Sequence, residues 1–158
     1  MVSETAILRP AKEEDVEALV RLLQRSWLVT WAPELPFDAV KAFANFDPAK
    51  AHAEAEWREF VVAARNDSLV GMVQVEGDRI THIHVDPAHW SGGVGSALLD
   101  AAEQKIAQSH AVARLEVRGF NIRAQAFYKR RGWVEASRYP GMECGSPVEN
   151  VGMERVLR

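Results

Sequence analysis

The sequence predicts an α/β fold, and three observations predict it. Three apolar, largely β-branched runs at residues 60–64, 69–75 and 80–85 are separated by the turn pairs Asn66-Asp67 and Gly77-Asp78, the pattern of an antiparallel meander. The third run leads through Pro87 and a glycine-rich loop into an alanine-rich segment whose Leu98, Leu99, Ala102 and Ile106 recur at helical spacing. A chain of 158 residues with 47% hydrophobic content can pack one core, so one domain over residues 1–158 is expected.

Taken in order, the chain opens with a short strand at residues 6–9 ended by Pro10. Residues 12–27 follow as a helix, because Val16, Leu19, Val20, Leu23 and Trp27 share one face. Residues 28–57 are less regular. Pro33, Pro36 and Pro48 divide the apolar pattern of Trp31, Phe37, Val40, Phe43 and Phe46 into one or two short helices. After the meander come a helix over 96–108, a strand at 114–118 and a helix over 121–131 capped by Asn121. Two last strands are expected at 133–138 and 151–157, with 139–150 as a loop because it holds Pro140, Gly141, Gly145 and Pro147. No repeat or low-complexity tract interrupts this order.

Composition excludes several function classes. A formal charge of −3 and a pI near 6.0 give no general attraction to nucleic acid or anionic lipid, so neither is expected as a partner. No apolar run is long enough to span a bilayer, and residues 1–5 lack the charged and apolar regions of a signal peptide. A cytoplasmic protein is expected. The lone Cys144 forms no internal disulfide and excludes a cysteine-based zinc cluster.

The chemistry is concentrated after the third run of the meander. Trp90, Ser91, Gly92, Gly93, Val94, Gly95 and Ser96 form a loop directly before a helix. Gly93 and Gly95 let several backbone N–H groups turn into one concavity, and the helix adds its own unpaired N–H groups and positive dipole end. Such a site suits a phosphate or pyrophosphate. A nucleoside-triphosphate loop would need a lysine after the last glycine, and none follows Gly95. A dinucleotide fingerprint would need a third glycine where Leu98 stands. A glycine turn that merely caps the helix is the remaining alternative.

Two motifs carry a family resemblance. The first is Val85-Asp-Pro-x-x-Trp90-Ser-Gly-Gly93-Val-Gly95-Ser-Ala-Leu-Leu99; the second, farther along, is Leu115-Glu-Val-Arg-x-x-Asn121-x-x-Ala124-x-x-Phe-Tyr128-x-x-x-Gly132-Trp. Together they resemble the GNAT superfamily of acyl-CoA-dependent N-acetyltransferases, and the likeness in element order runs from residue 7 to residue 157. The family's loop pattern is Gln/Arg-x-x-Gly-x-Gly/Ala. This chain matches at Gly93 and Gly95 and departs at Trp90, which removes one polar group near the pyrophosphate. The resemblance implies a mixed, mostly antiparallel sheet flanked by helices on both faces and splayed at its centre, between the strand of Ile83 and Val85 and the strand of Glu116. It implies acetyl-CoA as cosubstrate, with pantetheine against main-chain groups at Ile83 and Val85, the pyrophosphate over residues 91–96, and Asn121 touching the cofactor arm while it caps its helix.

Acetyl transfer to an amine needs a base for the ammonium proton, a donor for the tetrahedral oxyanion and a proton for the departing thiolate. The resemblance implies Tyr128 as the acid that serves the thiolate; a core aromatic beside Phe127 is the plain alternative. Strand alternation turns Leu115 and Val117 to one face and Glu116 to the other, and Glu116 resembles the base of family members that accept protein N-termini. It is assigned to act through water, unless it simply pairs with Arg118, Arg114 or His84. His84 is the second candidate base, since an ordinary histidine pKa of about 6.5 suits proton transfer at neutral pH. His82 and His84 lie two apart on one strand face, and with His89 or Glu116 as a third ligand they raise a metal site. Polar side chains lining a cleft explain the pair without one, and no metal is expected.

Arg123, Lys129, Arg130 and Arg131 form a basic cluster that either reaches the CoA phosphates or is a solvated helix face. Acceptor selection belongs to residues 27–46 and 139–150, where Trp27, Trp31, Phe37, Tyr139, Met142 and Glu143 are the residues to follow. The sequence thus reads as an acetyl-CoA-dependent N-acetyltransferase acting on a primary amine of a small molecule or peptide. A non-catalytic CoA-sensing or interaction module on the same scaffold, or a nucleotide-binding protein, is the alternative. The identity of the amine is not readable from the residues, and exposed C-terminal strands leave a homodimer open.

Overall fold

Alternation along the meander sends Phe60 and Val62 to one face of a sheet and Ala63 to the other, and each face acquires its own core. The computed structural model describes residues 5–158. Its strands are β1 (Ile7–Pro10), β2 (Phe60–Arg65), β3 (Ser68–Glu76), β4 (Arg79–Val85), β5 (Val112–Arg118), β6 (Val134–Glu143) and β7 (Ser146–Val156). They form one sheet in the order β1-β2-β3-β4-β5-β7-β6. Every neighbouring pair is antiparallel except β4 with β5, which is parallel. The helices are α1 (Val16–Thr30), α2 (Phe37–Phe46), α3 (Pro48–Glu56), α4 (Val94–Ala107) and α5 (Ile122–Arg130).

Helices cover both faces. On one, Val94, Leu98, Leu99, Ala102 and Ile106 of α4 pack with Val70, Val73, Ile80, Leu115 and Val117 of the sheet, joined by Tyr128 and Trp133. On the other, Leu19, Leu22, Leu23 and Trp27 of α1, Phe43 of α2 and Ala49 and Ala53 of α3 pack on Phe60, Val62 and Met72. Among the described residues no helix is long and apolar enough to cross a membrane.

One irregularity positions the site. Gln74 faces His82 and Val75 faces Ile80, so Thr81 is an extra residue in β4. A bulge of this kind bends its strand and sharpens the twist. It also changes the parity of the strand: Ile80, Ile83 and Val85 all pack on the α4 side, while His82 and His84 turn toward α3 and α1. Pairing between β4 and β5 is confined to Arg79 with Arg114 and Ile80 with Leu115. Beyond Thr81 the two strands diverge, β4 staying with β3 and β5 staying with β7 along its whole length.

Several boundaries shift by a residue or two from the sequence reading, and two shift farther. The first helix begins later and runs farther, with a 3-10 turn at Glu13–Asp15 before Val16–Thr30. The expected loop at 139–150 is strand: β6 and β7 form a long hairpin closed by Cys144 and Gly145, whose φ values of 48° and 81° are those of a tight two-residue turn. Its prolines are tolerated because Pro140 lies on the edge strand and Pro147 precedes the part of β7 that pairs with β5, which starts at Asn150.

Candidate active site

The divergence of β4 and β5 opens a passage through the sheet. One end is a cavity of about 800 Å³ lined by Ile83, Val85, Trp90, Ser91, Gly93, Gly95 and Ser96 together with α5 residues. The other is a cavity of about 590 Å³ between the splayed strands and α1 and α3, lined by Trp27, Phe43, His52, His82, Glu116, Arg118 and Glu143. Trp31, Ile83, His84, Asn121, Ala124 and Tyr128 line both and so form the throat between them.

The loop at the first cavity is held from below. Asp86 starts a 3-10 turn at Pro87–His89, accepting from the Ala88 amide at 2.9 Å, and its carboxylate pairs with Arg25 of α1 at 2.9 Å. Ser91 and Gly93 then take left-handed φ values of 64° and 83°, and α4 begins at Val94 with no side chain capping its first amides. Those N–H groups are left for a ligand. Two loop residues do not face it. Val94 is buried against the core, and the Gly92 carbonyl accepts from Arg65 at 3.4 Å; neither lines the cavity. Trp90 does line it, donating from Nε1 to the Val85 carbonyl at 3.1 Å and carrying the Arg123 guanidinium 3.7 Å above its ring.

In the throat, Asn121 caps α5 as expected, its Oδ1 accepting from the Ala124 amide at 3.2 Å. Tyr128 is buried, its ring packed beside Phe127 and Trp133, and no side-chain hydrogen bond from it forms among the described residues. Burial pushes its pKa up, so the phenol keeps its proton. Glu116 is exposed on the strand face opposite Leu115 and Val117. One of its oxygens accepts from Arg118 at 3.0 Å and the other from the Tyr139 hydroxyl, so the pairing with Arg118 raised as an alternative is present. Arg118 also donates twice to Glu143, at 3.1 and 2.9 Å, and therefore sits between two carboxylates.

His84 also lies in the throat. Its Nδ1 is 2.8 Å from Ser26 Oγ, and the half-buried ring lines both cavities. Burial first, then His82 and His52, push its pKa down to about 3, so the ordinary value that recommends it as a base does not hold. His82 is pushed down to about 4 by burial and His52, with Glu56 opposing. The two imidazole rings are 6.3 Å apart, His89 is engaged with Arg65 at 3.3 Å, and among the described residues no three His, Cys, Asp or Glu side chains gather as a metal site.

Of the other candidates, Trp27 stacks on Phe43 at 3.9 Å in the second cavity, and Glu143 lines it too. Phe37 and Met142 are exposed and line neither cavity. Arg123, Arg130 and Arg131 line the first cavity, and Lys129 does not. Sequence reasoning missed Ser26, His52 and the bridging role of Arg118. Ser26 and His52 come from distant helices and stand in no motif; Arg118 lies inside one, and two carboxylates nearby in the fold were the signal.

A profile of the acetyltransferase (GNAT) family matches residues 16–133. No curated protein matches the chain significantly in sequence. Among solved structures, the chain is similar to a GCN5-related N-acetyltransferase from Rhodopseudomonas palustris, at 24% identity and a TM-score of 0.84, covering 99% of this chain and 98% of that one. It is similar to the PaiA N-acetyltransferase from Thermoplasma acidophilum in complex with coenzyme A, at 19% identity and a TM-score of 0.77, covering 96% and 99% of the two chains. Ard1 from Thermoplasma volcanium is 26% identical with a TM-score of 0.68, covering 96% and 97%.

Proposed function

Because the chain belongs to the acetyltransferase (GNAT) family, we propose that it transfers the acetyl group of acetyl-CoA directly to a primary amine of a small molecule or peptide. The observation that carries this reading is the passage itself, which joins uncapped amides at one end, unpaired strand edges along its wall and a partnerless phenol in its throat. The PaiA structure with coenzyme A supports the cofactor. In this arrangement the pyrophosphate rests on the loop at residues 91–96, against Ser91, Gly93, Gly95 and Ser96, and pantetheine adds to the free edge at Ile83 and Val85 as a short extra strand. Asn121 borders the cofactor arm.

The acceptor enters from the second cavity as an ammonium. Glu116 and Glu143 line it beside Arg79 and Arg118, so formal charge there is balanced, and the carboxylate oxygens of Glu116 and Glu143 are the groups that can pair with an ammonium. Water held by Glu116 takes the proton, the free amine attacks the thioester carbon, and the C–S bond breaks after the C–N bond has formed. The Tyr128 phenol gives its proton to the departing thiolate, and the proton that the attacking nitrogen must lose to become an amide passes through water to the phenolate, which restores the phenol. His84, neutral, orients water but stores no proton.

The test is an acceptor panel followed by thiol release from acetyl-CoA. We expect release that depends on an amine, and a kcat/KM about 100-fold lower in Glu116→Gln, the low end of what a general base contributes. Acetyl-CoA binding by calorimetry with no acceptor-dependent release would support the non-catalytic module. Protection against heat by ATP but not by CoA would support a nucleotide-binding protein.

A further inference from the structure

We propose that Arg123, carried on the face of Trp90, is the cationic anchor for the cofactor's pyrophosphate, standing in for the polar side chain that the glycine loop lacks at position 90. This rests on the acetyl-CoA reading above. Trp90 is fixed at the mouth of the loop by its bond to the Val85 carbonyl, so its ring is a platform of defined orientation. The guanidinium lies 3.7 Å from the ring centroid. Contact over the ring face holds the planar group by cation–π attraction while leaving its N–H edge free for a bidentate bond to phosphate oxygens.

Charge around the first cavity points the same way. Arg131 is paired with Asp100, and Arg65 is engaged with His89 and Gly92, but Arg123 has no acidic partner among the described residues. Its nearest charged influence is repulsive: partial burial, then Arg130, both disfavour its positive charge. Glu34 is the one acid among the described residues that line this cavity with Arg123, Arg130 and Arg131. Two cations without acid partners therefore face a loop whose amides are also without partners, an arrangement that an anion relieves. The pyrophosphate is the part of the cofactor assigned here because Trp90 directly precedes Ser91, the first residue of the amide cradle.

Calorimetric titrations with acetyl-CoA, its 3′-dephospho form and acetyl-pantetheine test this on the whole chain. Arg123→Ala is expected to weaken the first two by the same factor, about tenfold as for one charge-assisted contact, and to leave acetyl-pantetheine unchanged. Arg123→Lys should recover part of the loss, and Trp90→Arg added to Arg123→Ala should recover most of it, because it returns a guanidinium to the family's usual position. Equal affinities in wild type and Arg123→Ala would overturn the proposal. So would a loss confined to acetyl-CoA, which would assign Arg123 to the 3′-phosphate, or a loss that extends to acetyl-pantetheine, which would mean general damage to the passage. A wild-type chain that binds none of the three overturns the acetyl-CoA reading itself, an outcome visible before any variant is made.

Discussion

Tyr128 and Glu116 share one sequence motif and meet opposite surroundings. Glu116 is exposed and bonded to Arg118 and Tyr139, so its replacement disturbs a network as well as any chemistry. Tyr128 is buried with its hydroxyl unbonded, so that oxygen adds little to the fold. Tyr128→Phe is therefore expected to leave the melting temperature and the KM for acetyl-CoA close to wild type while lowering kcat by roughly 100-fold, the scale of a lost general acid. Steady-state kinetics beside a thermal melt check it, and an unchanged kcat would remove Tyr128 from the mechanism. The position of Tyr128 is legible in the Asn121 to Trp133 motif because that spacing is local. The state of His84 is not, because burial, its first cause, and the approach of His52 from α3 depend on how distant elements pack around β4.

The same division holds for the elements. The three-strand meander and the loop-to-helix step are readable because turn residues and periodicity mark them within a few positions. The β6–β7 hairpin is not, because Pro140 and Pro147 are loop signals unless the strand order is known, and that order is a property of the whole sheet. The bulge at Thr81 is likewise invisible locally, yet it starts the splay. Packing between elements supplies one more test. Gly71 in β3 faces α4 so closely that a Cβ there would lie 2.8 Å from Leu98 Cδ1, 3.0 Å from the His84 carbonyl oxygen and 3.1 Å from Val94 Cγ1. Val94 is the first residue of α4, so the glycine loop is seated through this contact. Gly71→Ala is expected to cost about 1–3 kcal/mol by overpacking and to weaken acetyl-CoA binding as α4 lifts. Denaturant melts and calorimetry on the variant measure the two effects, and full affinity together with lost stability would separate the loop from the packing beneath it.

At the scale of the molecule, the two cores lie on opposite faces of the sheet, and the passage between them is lined on one side by three histidines among apolar side chains. His52 packs against His82 at 3.9 Å with the rings tilted and bonds Gln74 at 2.8 Å, and Gln74 in turn donates to Glu56 at 3.0 Å. His84 bonds Ser26, and the buried Nδ1 of His82 has no partner among the described residues. This cluster makes overall stability depend on pH, and the sign follows from the lowered pKa values of His82, about 4, and His84, about 3. Unfolded, each histidine titrates at its ordinary 6.5 and binds more protons than the folded chain below that value. The stabilisation is thus complete above pH 6.5 and declines as pH falls from 6.5 through 4 toward 3. Asp15, whose pKa is held below its ordinary 3.8 first by its hydrogen bond to Arg9, adds a loss only as pH falls below 3.8, so its window meets only the acidic end of the histidine one. Melting temperature followed in small pH steps should hold level above pH 6.5 and fall steadily between 6.5 and 4, by the equivalent of several kcal/mol. His84→Gln and His82→Gln should each flatten that slope without moving the more acidic limb. A melting temperature that stays constant across the histidine window would mean that these rings accept protons in the folded chain, and His84 would then return as a base for the acceptor amine.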